Sequence, residues 1–353
     1  MKTNNLNKYV EFSKDNPFGT QSKMLFHLDR INSYMISGDT FPIFMEVSLT
    51  DRCNLKCKWC IAENRGDSTK SLQIESLLKF ISDFKRLGGK ALTFSGGGEP
   101  TLYPFFEIAT LKAVENQVEL GLMTNGFFSK KLIPIIGDNF RWVRISLDTL
   151  NKDTYTKCKG VDAVDIVVSN IKELRNHNCK VGINCNIGEN ISIEDIKEII
   201  GLVDFSDYIQ FRPILPRYFK NENIQINEEV WNFLKELNHP KVNISVDKFK
   251  DLNNQNLFPF ETCEGHFFSP ILNSDGDIKV CMYHPTDSRF SFGNIHQNSL
   301  EEIWSSQQRK DSIQFIRNLD YKKNCQMCCK LFELNKFIDF IKNPSMSLDI
   351  NFL

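Results

Sequence analysis

The alternation of strand-like and helix-like segments constrains the fold of this 353-residue chain more than any other feature. Six apolar segments of strand length follow one another, and most are separated by amphipathic helical patterns. Because neighbouring parallel strands need a crossover, this order predicts a parallel sheet covered by helices. The predicted strands are 43–49, 90–95, 118–124, 142–147, 181–187 and 208–211, and the predicted helices are 72–87, 105–114, 130–136, 164–175 and 193–203.

Three cysteines stand on one short loop directly after the first predicted strand. Cys53, Cys57 and Cys60 are separated by three and then two residues, so their thiols can turn toward one centre. Thiolates bind zinc and iron–sulfur clusters, and both usually take four protein ligands. The triad therefore leaves two interpretations open: a zinc site with a distant fourth ligand, or a cluster with one iron left open.

Glycines and polar residues follow the later strands, where the carboxyl ends of a parallel sheet meet. The segment 96–100 reads Gly-Gly-Gly-Glu-Pro, and glycine lets a backbone approach a ligand closely because it lacks a Cβ atom. Standing alone it could be a plain glycine turn. Further candidates at strand ends are the turn 124–126, Ser146 and Asp148 on one face of the fourth strand, Asn184, and Arg212, although Ser146 or Asp148 could instead cap a turn.

A second group of cysteines lies near the C-terminus. Cys263 is followed by twelve residues, a glycine, four residues and Cys281, and the turn 273–277 predicts a hairpin that brings the two thiols together. Cys325 and Cys328 complete four thiolates, which a zinc ribbon also uses. Cys329 is an extra thiol that could replace Cys328 as a ligand. Cys158, Cys179 and Cys185 have no partner at ligand spacing, and we expect them to pack in the core, as isolated thiols commonly do.

The two cysteine groups, in this order, resemble the radical S-adenosylmethionine (SAM) superfamily. Loop 53–60, with Trp59 before its last cysteine, resembles the cluster loop of that family. Gly97, Gly98 and Glu99 resemble its motif for the SAM amino group. The C-terminal group resembles the twitch domain, a short relative of the SPASM domain. The resemblance implies an α/β fold, a partial (β/α)6 barrel followed by a small iron–sulfur domain.

The resemblance also implies two [4Fe-4S] clusters and a SAM site. Cys53, Cys57 and Cys60 are expected to hold the first cluster, whose open iron binds SAM. The auxiliary cluster is assigned to Cys263, Cys281, Cys325 and Cys328. The expected SAM or substrate contacts are Trp59, Gly97, Gly98, Glu99, Ser146, Asp148, Asn184 and Arg212. The expected units are a lead-in (1–40), the barrel (41–215), a linker with one helix (216–260) and the cluster domain (261–353).

The implied activity is reductive cleavage of SAM to a 5′-deoxyadenosyl radical that abstracts hydrogen from a substrate. A fully ligated auxiliary cluster suggests the hypothesis that it accepts an electron, which makes the net reaction an oxidation. An electron donor such as flavodoxin or ferredoxin is expected. The first forty residues are short for a peptide-binding domain, which favours a small molecule or nucleoside over a peptide as substrate. A peptide-modifying maturase, an iron–sulfur carrier or sensor, and a structural zinc protein are the alternatives.

Composition excludes several other classes. Basic and acidic residues nearly cancel, 43 against 44, so no general attraction to nucleic acid or membranes is expected. The apolar runs are too short to span a bilayer. The 11 cysteines are odd in number, and residues 1–14 lack the apolar core of a signal peptide. These features predict a cytoplasmic metalloprotein.

Overall fold

The parallel sheet predicted from the sequence is present in the computed structural model, which describes residues 23–61, 68–215, 225–251, 260–325 and 329–344. Its first six strands pair in chain order, all parallel, and each lies within two residues of its predicted bounds. They are β1 (Phe44–Ser48), β2 (Ala91–Ser95), β3 (Glu119–Thr124), β4 (Trp142–Ser146), β5 (Lys180–Ile187) and β6 (Tyr208–Pro213).

Helices connect these strands, as predicted, with one addition. After α1 (Leu28–Ser37), the connections contain α2 (Ile74–Arg86), α3 (Phe106–Glu115), α4 (Ile133–Asn139), α5 (Lys152–Lys159), α6 (Val164–Leu174) and α7 (Ile193–Ile200). The sequence did not indicate α5, because this short segment is mostly polar and shows no apolar periodicity. Asn151 caps its first turn by accepting a hydrogen bond from the Thr154 N–H, and Gly160 ends it with φ of 89°.

The two faces of the sheet differ in polarity. One face is apolar and packs in the core, with side chains at most 1% exposed, including Met45, Val47, Leu92, Phe94, Leu120, Leu122, Val143, Ile145, Val181, Ile183, Ile209 and Phe211. Because side chains alternate along a strand, the intervening residues face the barrel interior. Many of these are polar: Glu46, Ser48, Thr93, Ser95, Arg144, Ser146, Asn184, Asn186, Gln210 and Arg212. Such an interior suits a polar ligand better than a packed apolar core does.

The sheet continues beyond β6 into the predicted linker. Helix α8 (Glu228–Glu236) is the one predicted there, and it is followed by β7 (Val242–Ile244), which pairs parallel to β6, and by α9 (Val246–Asp251). A strand of three residues is too short to leave a periodic pattern in the sequence. The linker residues 216–224 and 252–259 lie outside the described part of the chain.

The C-terminal unit is joined to the barrel through the same sheet. The predicted hairpin is confirmed as β8 (Ile271–Leu272) and β9 (Asp277–Lys279), and β10 (Ser291–Asn294) pairs antiparallel to β9. Strand β8 pairs parallel to β1, so the ten strands of the described residues form one sheet. The helices of this unit are α10 (Leu300–Ser305), α11 (Gln307–Arg317), α12 (Tyr321–Asn324) and α13 (Phe332–Lys342). The boundary predicted at residue 261 stays a prediction.

A buried arginine reinforces this junction. Arg309 on α11 is 2% exposed and donates two hydrogen bonds to the carboxylate of Asp39, just before β1. A bidentate pair of this kind fixes both position and orientation. Within the described residues, no helix is long and apolar enough to cross a membrane.

Candidate functional site

The three cysteines after β1 lie together at the carboxyl end of the barrel. Cys53 is exposed, Cys57 and Cys60 are half-buried, and all three are free thiols. The Cys60 N–H donates to the Cys57 carbonyl at 3.2 Å, which folds the loop back on itself. Burial raises the pKa of Cys57 to about 11, and the neighbouring charges of Cys60 and Cys53 add to this effect. The three cysteines thus lie on one folded loop, and their role as cluster ligands stays a prediction.

The glycine segment after β2 holds this loop by its backbone. The Gly98 N–H donates to the Thr50 carbonyl at 3.0 Å, and the Glu99 N–H donates to the Arg52 carbonyl at 2.8 Å. A Cβ atom on Gly98 would lie 2.1 Å from the Arg52 carbonyl oxygen, so only glycine permits this approach. The Gly97 N–H donates to the Ser48 hydroxyl at 3.1 Å. Contacts of Gly97 and Gly98 with SAM stay a prediction.

The Glu99 carboxylate links the ends of β2 and β3. It is buried, and it accepts hydrogen bonds from the Thr101 and Thr124 hydroxyls, both at 2.7 Å, and from the N–H groups of Thr101 and Asn125. Burial raises the pKa of Glu99, and these donors oppose that rise. Asn125 in turn donates to the Asn54 side chain at 2.8 Å. Glu99 therefore positions the turn that contacts the cysteine loop, and its predicted contact with SAM remains untested.

Replacing Glu99 by glutamine is expected to destabilise the protein by about 1–3 kcal/mol, because an amide presents an N–H group to donors that need an acceptor. Glu107→Gln, the same substitution at an exposed position on α3, is expected to have little effect. Thermal unfolding of both variants beside the parent protein checks this. Equal melting temperatures for the two variants would show that the Glu99 hydrogen bonds contribute no net stability.

Asp148, which follows β4, forms a buried ion pair with a lysine that the sequence did not single out. Asp148 is fully buried, and its carboxylate lies 2.6 Å from the Lys159 ammonium at the end of α5. Lys159 also donates to the Ser146 hydroxyl at 3.1 Å. The N–H and side-chain amide of Asn186 donate to Asp148 at 2.7 and 3.0 Å. The predicted residues Ser146 and Asp148 thus lie together, and Lys159 joins them.

Lys159 also connects this pair to the cysteine loop. Its ammonium lies 5.7 Å from the centre of the Trp59 ring, and its charge opposes the raised pKa of Cys57. The carbonyl of Lys159 accepts a hydrogen bond from the Lys56 N–H at 2.8 Å. One lysine on a polar helix carries no sequence signal for such a role, since its burial depends on tertiary packing alone.

Asn184 and Arg212 lie on the interior face of neighbouring strands. Asn184 pairs in register with Ser146 on one side and Gln210 on the other, and Arg212 pairs with Asn186. The side-chain nitrogen of Asn184 donates to Asn186 at 3.3 Å, whereas its buried oxygen has no hydrogen-bond partner within the described part of the chain. A buried acceptor without a partner is suited to a donor on a ligand.

The C-terminal cysteines form a second group of free thiols. Cys263, Cys281, Cys325 and Cys329 are half-buried. Burial raises the pKa of Cys263 well above its usual value, and the charges of the other three add to the rise. Cys328 lies outside the described residues, so its assignment stays a prediction. Among the described side chains, no three His, Cys, Asp or Glu converge on one point where a single metal ion could bind.

The remaining cysteines behave as core residues. Cys158, Cys179 and Cys185 are each at most 2% exposed. The Cys185 thiol donates to the Asp148 carbonyl at 3.2 Å. None of the three is a predicted cluster ligand.

The donor set at the first loop fits an iron–sulfur cluster with a bound ligand. Three thiols share one loop, and the Cys53 sulfur accepts a hydrogen bond from the Leu55 N–H at 3.5 Å. Hydrogen bonds to ligating sulfurs are a general feature of such clusters. The unpartnered oxygen of Asn184 supplies a polar contact for a molecule bound nearby.

Two protein families match this chain. Residues 47–203 match the radical SAM superfamily, and residues 263–329 match SPASM, an iron–sulfur cluster-binding domain. Among curated relatives, the GTP 3′,8-cyclase of Aliarcobacter butzleri is 33% identical over 164 residues, which are 44% of this chain and 50% of that protein. The GTP 3′,8-cyclase of Clostridium perfringens is 27% identical over 231 residues, 59% of this chain and 70% of that protein. The chain thus spans half the length of the first relative.

Solved structures share the fold. SuiB of Streptococcus suis, solved with the precursor peptide SuiA, superposes with a TM-score of 0.65 at 17% identity, covering 95% of this chain and 80% of SuiB. The protein anSMEcpe, solved with bound AdoMet, gives a TM-score of 0.60 at 21% identity, covering 84% of this chain and 89% of that protein. The two family matches show that the chain belongs to the radical SAM superfamily and carries a C-terminal SPASM iron–sulfur cluster-binding domain.

Proposed function

We propose that this enzyme cleaves SAM at the loop of Cys53, Cys57 and Cys60 and abstracts hydrogen from a small polar substrate held in the barrel interior. When bound, the cluster and SAM supply the one-electron chemistry that yields the 5′-deoxyadenosyl radical. The observation that carries the substrate part is the polar interior face of the sheet. Nucleotides are the first class to test, since the curated relatives include enzymes named GTP 3′,8-cyclase.

A charged cluster deep in the interior supports a polar substrate. Glu46 on β1 has a side chain 10% exposed, accepts a hydrogen bond from the Ser95 hydroxyl at 2.6 Å, and pairs with the Lys330 ammonium. Although burial opposes it, Lys330 and, more weakly, Arg144 hold the pKa of Glu46 below its usual value. Lys330 and Arg144 thus carry two positive charges beside the single negative charge of Glu46. The excess positive charge can attract an anionic group of a substrate.

Arg144 is the group best placed to receive that anion. It lies on β4 with its guanidinium 5.4 Å from the Trp142 ring centre. Its buried Nε has no hydrogen-bond partner in the described part of the chain. A guanidinium binds carboxylates and phosphates through paired donors. Lys330 belongs to the C-terminal unit, so both that unit and the barrel contribute charged groups around Glu46.

Electron delivery is proposed at the outer side of the cysteine loop. Cys53 is exposed there, and so are the neighbouring Lys56 and Lys58. A small acidic donor of the flavodoxin or ferredoxin kind fits such a basic surface, because opposite charges speed and orient association.

The test is formation of 5′-deoxyadenosine by anaerobically reconstituted protein with SAM and dithionite, quantified by chromatography. We expect slow basal formation that a nucleotide, GTP first, accelerates. No formation by protein with full iron content would overturn SAM cleavage and favour the carrier or sensor alternative. Basal formation that only a peptide accelerates would overturn the nucleotide part alone.

Arg144→Met is expected to raise the KM for the accelerating nucleotide about tenfold or more, because a hydrogen bond to a charged group contributes about 1.5–3 kcal/mol. Basal 5′-deoxyadenosine formation without substrate should be unchanged. Arg141→Met is the matched control, since Arg141 is exposed and pairs with Glu119 at the sheet surface. Equal KM values for the two variants would place the anionic group elsewhere.

A further inference from the structure

We propose that Cys329, rather than Cys328, is the fourth ligand of the auxiliary cluster, together with Cys263, Cys281 and Cys325. The proposal decides between the two cysteines that the sequence left as alternatives for this position, and it does not depend on SAM cleavage.

Four of the thiols that the structure describes lie near one another. They come from four segments: before β8, after β9, after α12, and before α13. Cys263 lies within electrostatic range of the other three thiols. Cys325 lies within range of Cys329 and Cys281, and Cys329 lies within range of Cys281. Each of the four thiols is therefore within electrostatic range of the other three, which is expected of four ligands of one cluster.

Hydrogen bonds to sulfur give Cys329 the surroundings of a ligand. Its sulfur accepts the Leu331 N–H, two residues on, at 3.3 Å. Cys53, a predicted ligand of the first cluster, accepts the Leu55 N–H in the same i to i+2 pattern. Cys281 accepts backbone N–H groups from Tyr283 and His284. N–H donors stabilise sulfur that carries negative charge, which a cluster ligand does and a packed core thiol does not.

The residues after Cys329 fix the position of its thiol. Lys330 is tied to Glu46 on β1, and Leu331 is 3% exposed in the core. The Phe332 N–H donates to the Cys329 carbonyl at 3.1 Å. The backbone on the C-terminal side of Cys329 is therefore held at three successive residues.

Asn335 on α13 links Cys329 to the segment that holds Cys263. Its side-chain oxygen accepts the N–H groups of Glu264 and Gly265 at 2.8 and 2.6 Å. Its side-chain nitrogen therefore faces the Cys263 sulfur, at 3.6 Å. The helix that begins just after Cys329 thus positions a second thiol of the group. The choice of Cys329 also gives a spacing of three residues after Cys325, the same as between Cys53 and Cys57.

The experiment isolates the auxiliary cluster in the full chain by replacing Cys53, Cys57 and Cys60 with alanine. Cys328→Ala and Cys329→Ala are then compared for iron content and visible absorption after anaerobic reconstitution. We expect Cys329→Ala to lose most of the iron, from about four per chain to below about one, and Cys328→Ala to keep it. Loss in Cys328→Ala alone, loss in both, or loss in neither would each overturn the assignment.

Serine variants guard against a Cys329→Ala protein that does not fold. A serine oxygen can replace the thiolate, and we expect Cys329→Ser to shift the electron paramagnetic resonance spectrum of the reduced cluster while Cys328→Ser leaves it unchanged. A shifted spectrum in Cys328→Ser would contradict the proposal. Both readouts need only bound iron, so they remain interpretable if SAM cleavage is never observed.

Discussion

Cys57→Ala is expected to reduce 5′-deoxyadenosine formation to the level of a reaction without protein, and to lower the iron content from about eight to about four per chain. Cys57 is the middle thiol of the triad, and its carbonyl closes the loop by accepting the Cys60 N–H. Removing it leaves two thiols on the loop, which are too few to hold a cluster that also binds SAM. Iron analysis and chromatography on the same preparation measure both effects.

Cys179→Ala is the matched control for that experiment. Cys179 is buried just before β5, at the amino end of the sheet, far along the strands from the cysteine loop. We expect it to keep full iron content and full activity, with a modest loss of stability from the deleted sulfur. An active Cys57→Ala protein with eight irons would show that the triad is not the site of cleavage.

Local patterns predicted the strands and the cysteine groups because each depends on residues close in the sequence. The strand segments keep their apolar composition wherever they pair, and Cys53, Cys57 and Cys60 share one loop. Pairings between distant segments left no such pattern. The parallel contact of β8 with β1 joins residues more than 220 positions apart, and the hairpin alone did not indicate it.

The sequence also did not indicate which charged side chains would be buried. Lys159, Glu46 and Lys330 look like ordinary surface residues in a chain that is 25% charged. Their burial follows from tertiary contacts, since each finds its partner only when two segments meet. The glycine segment 96–98, in contrast, was recognised from the sequence. Its motif was evident, but the structure adds that Gly98 is needed to pack against Arg52.

Lys159→Met is expected to destabilise the protein by about 3 kcal/mol, because it leaves the Asp148 carboxylate buried without its cation. Both side chains are at most 3% exposed, so water cannot replace the lost partner. Although burial lowers it, the charge of Asp148 raises the pKa of Lys159 above its usual value, so the ammonium stays charged at neutral pH. Methionine keeps the aliphatic volume, which confines the effect to the charge. Denaturant unfolding of the variant beside the parent protein measures it.

Two further variants test whether the loss of stability in Lys159→Met comes from the broken ion pair. Lys157→Met on the same helix changes an exposed lysine and should leave the midpoint of unfolding nearly unchanged. The double variant Asp148→Asn with Lys159→Met removes both charges, and its loss should be smaller than that of Lys159→Met alone, since no unpaired charge remains. If the double variant is less stable than Lys159→Met, then the ion pair with Asp148 is not the way in which Lys159 stabilises the protein. In that case its contacts with Ser146 and the Trp59 ring hold the loop, and Lys159→Met should also lose iron from the first cluster.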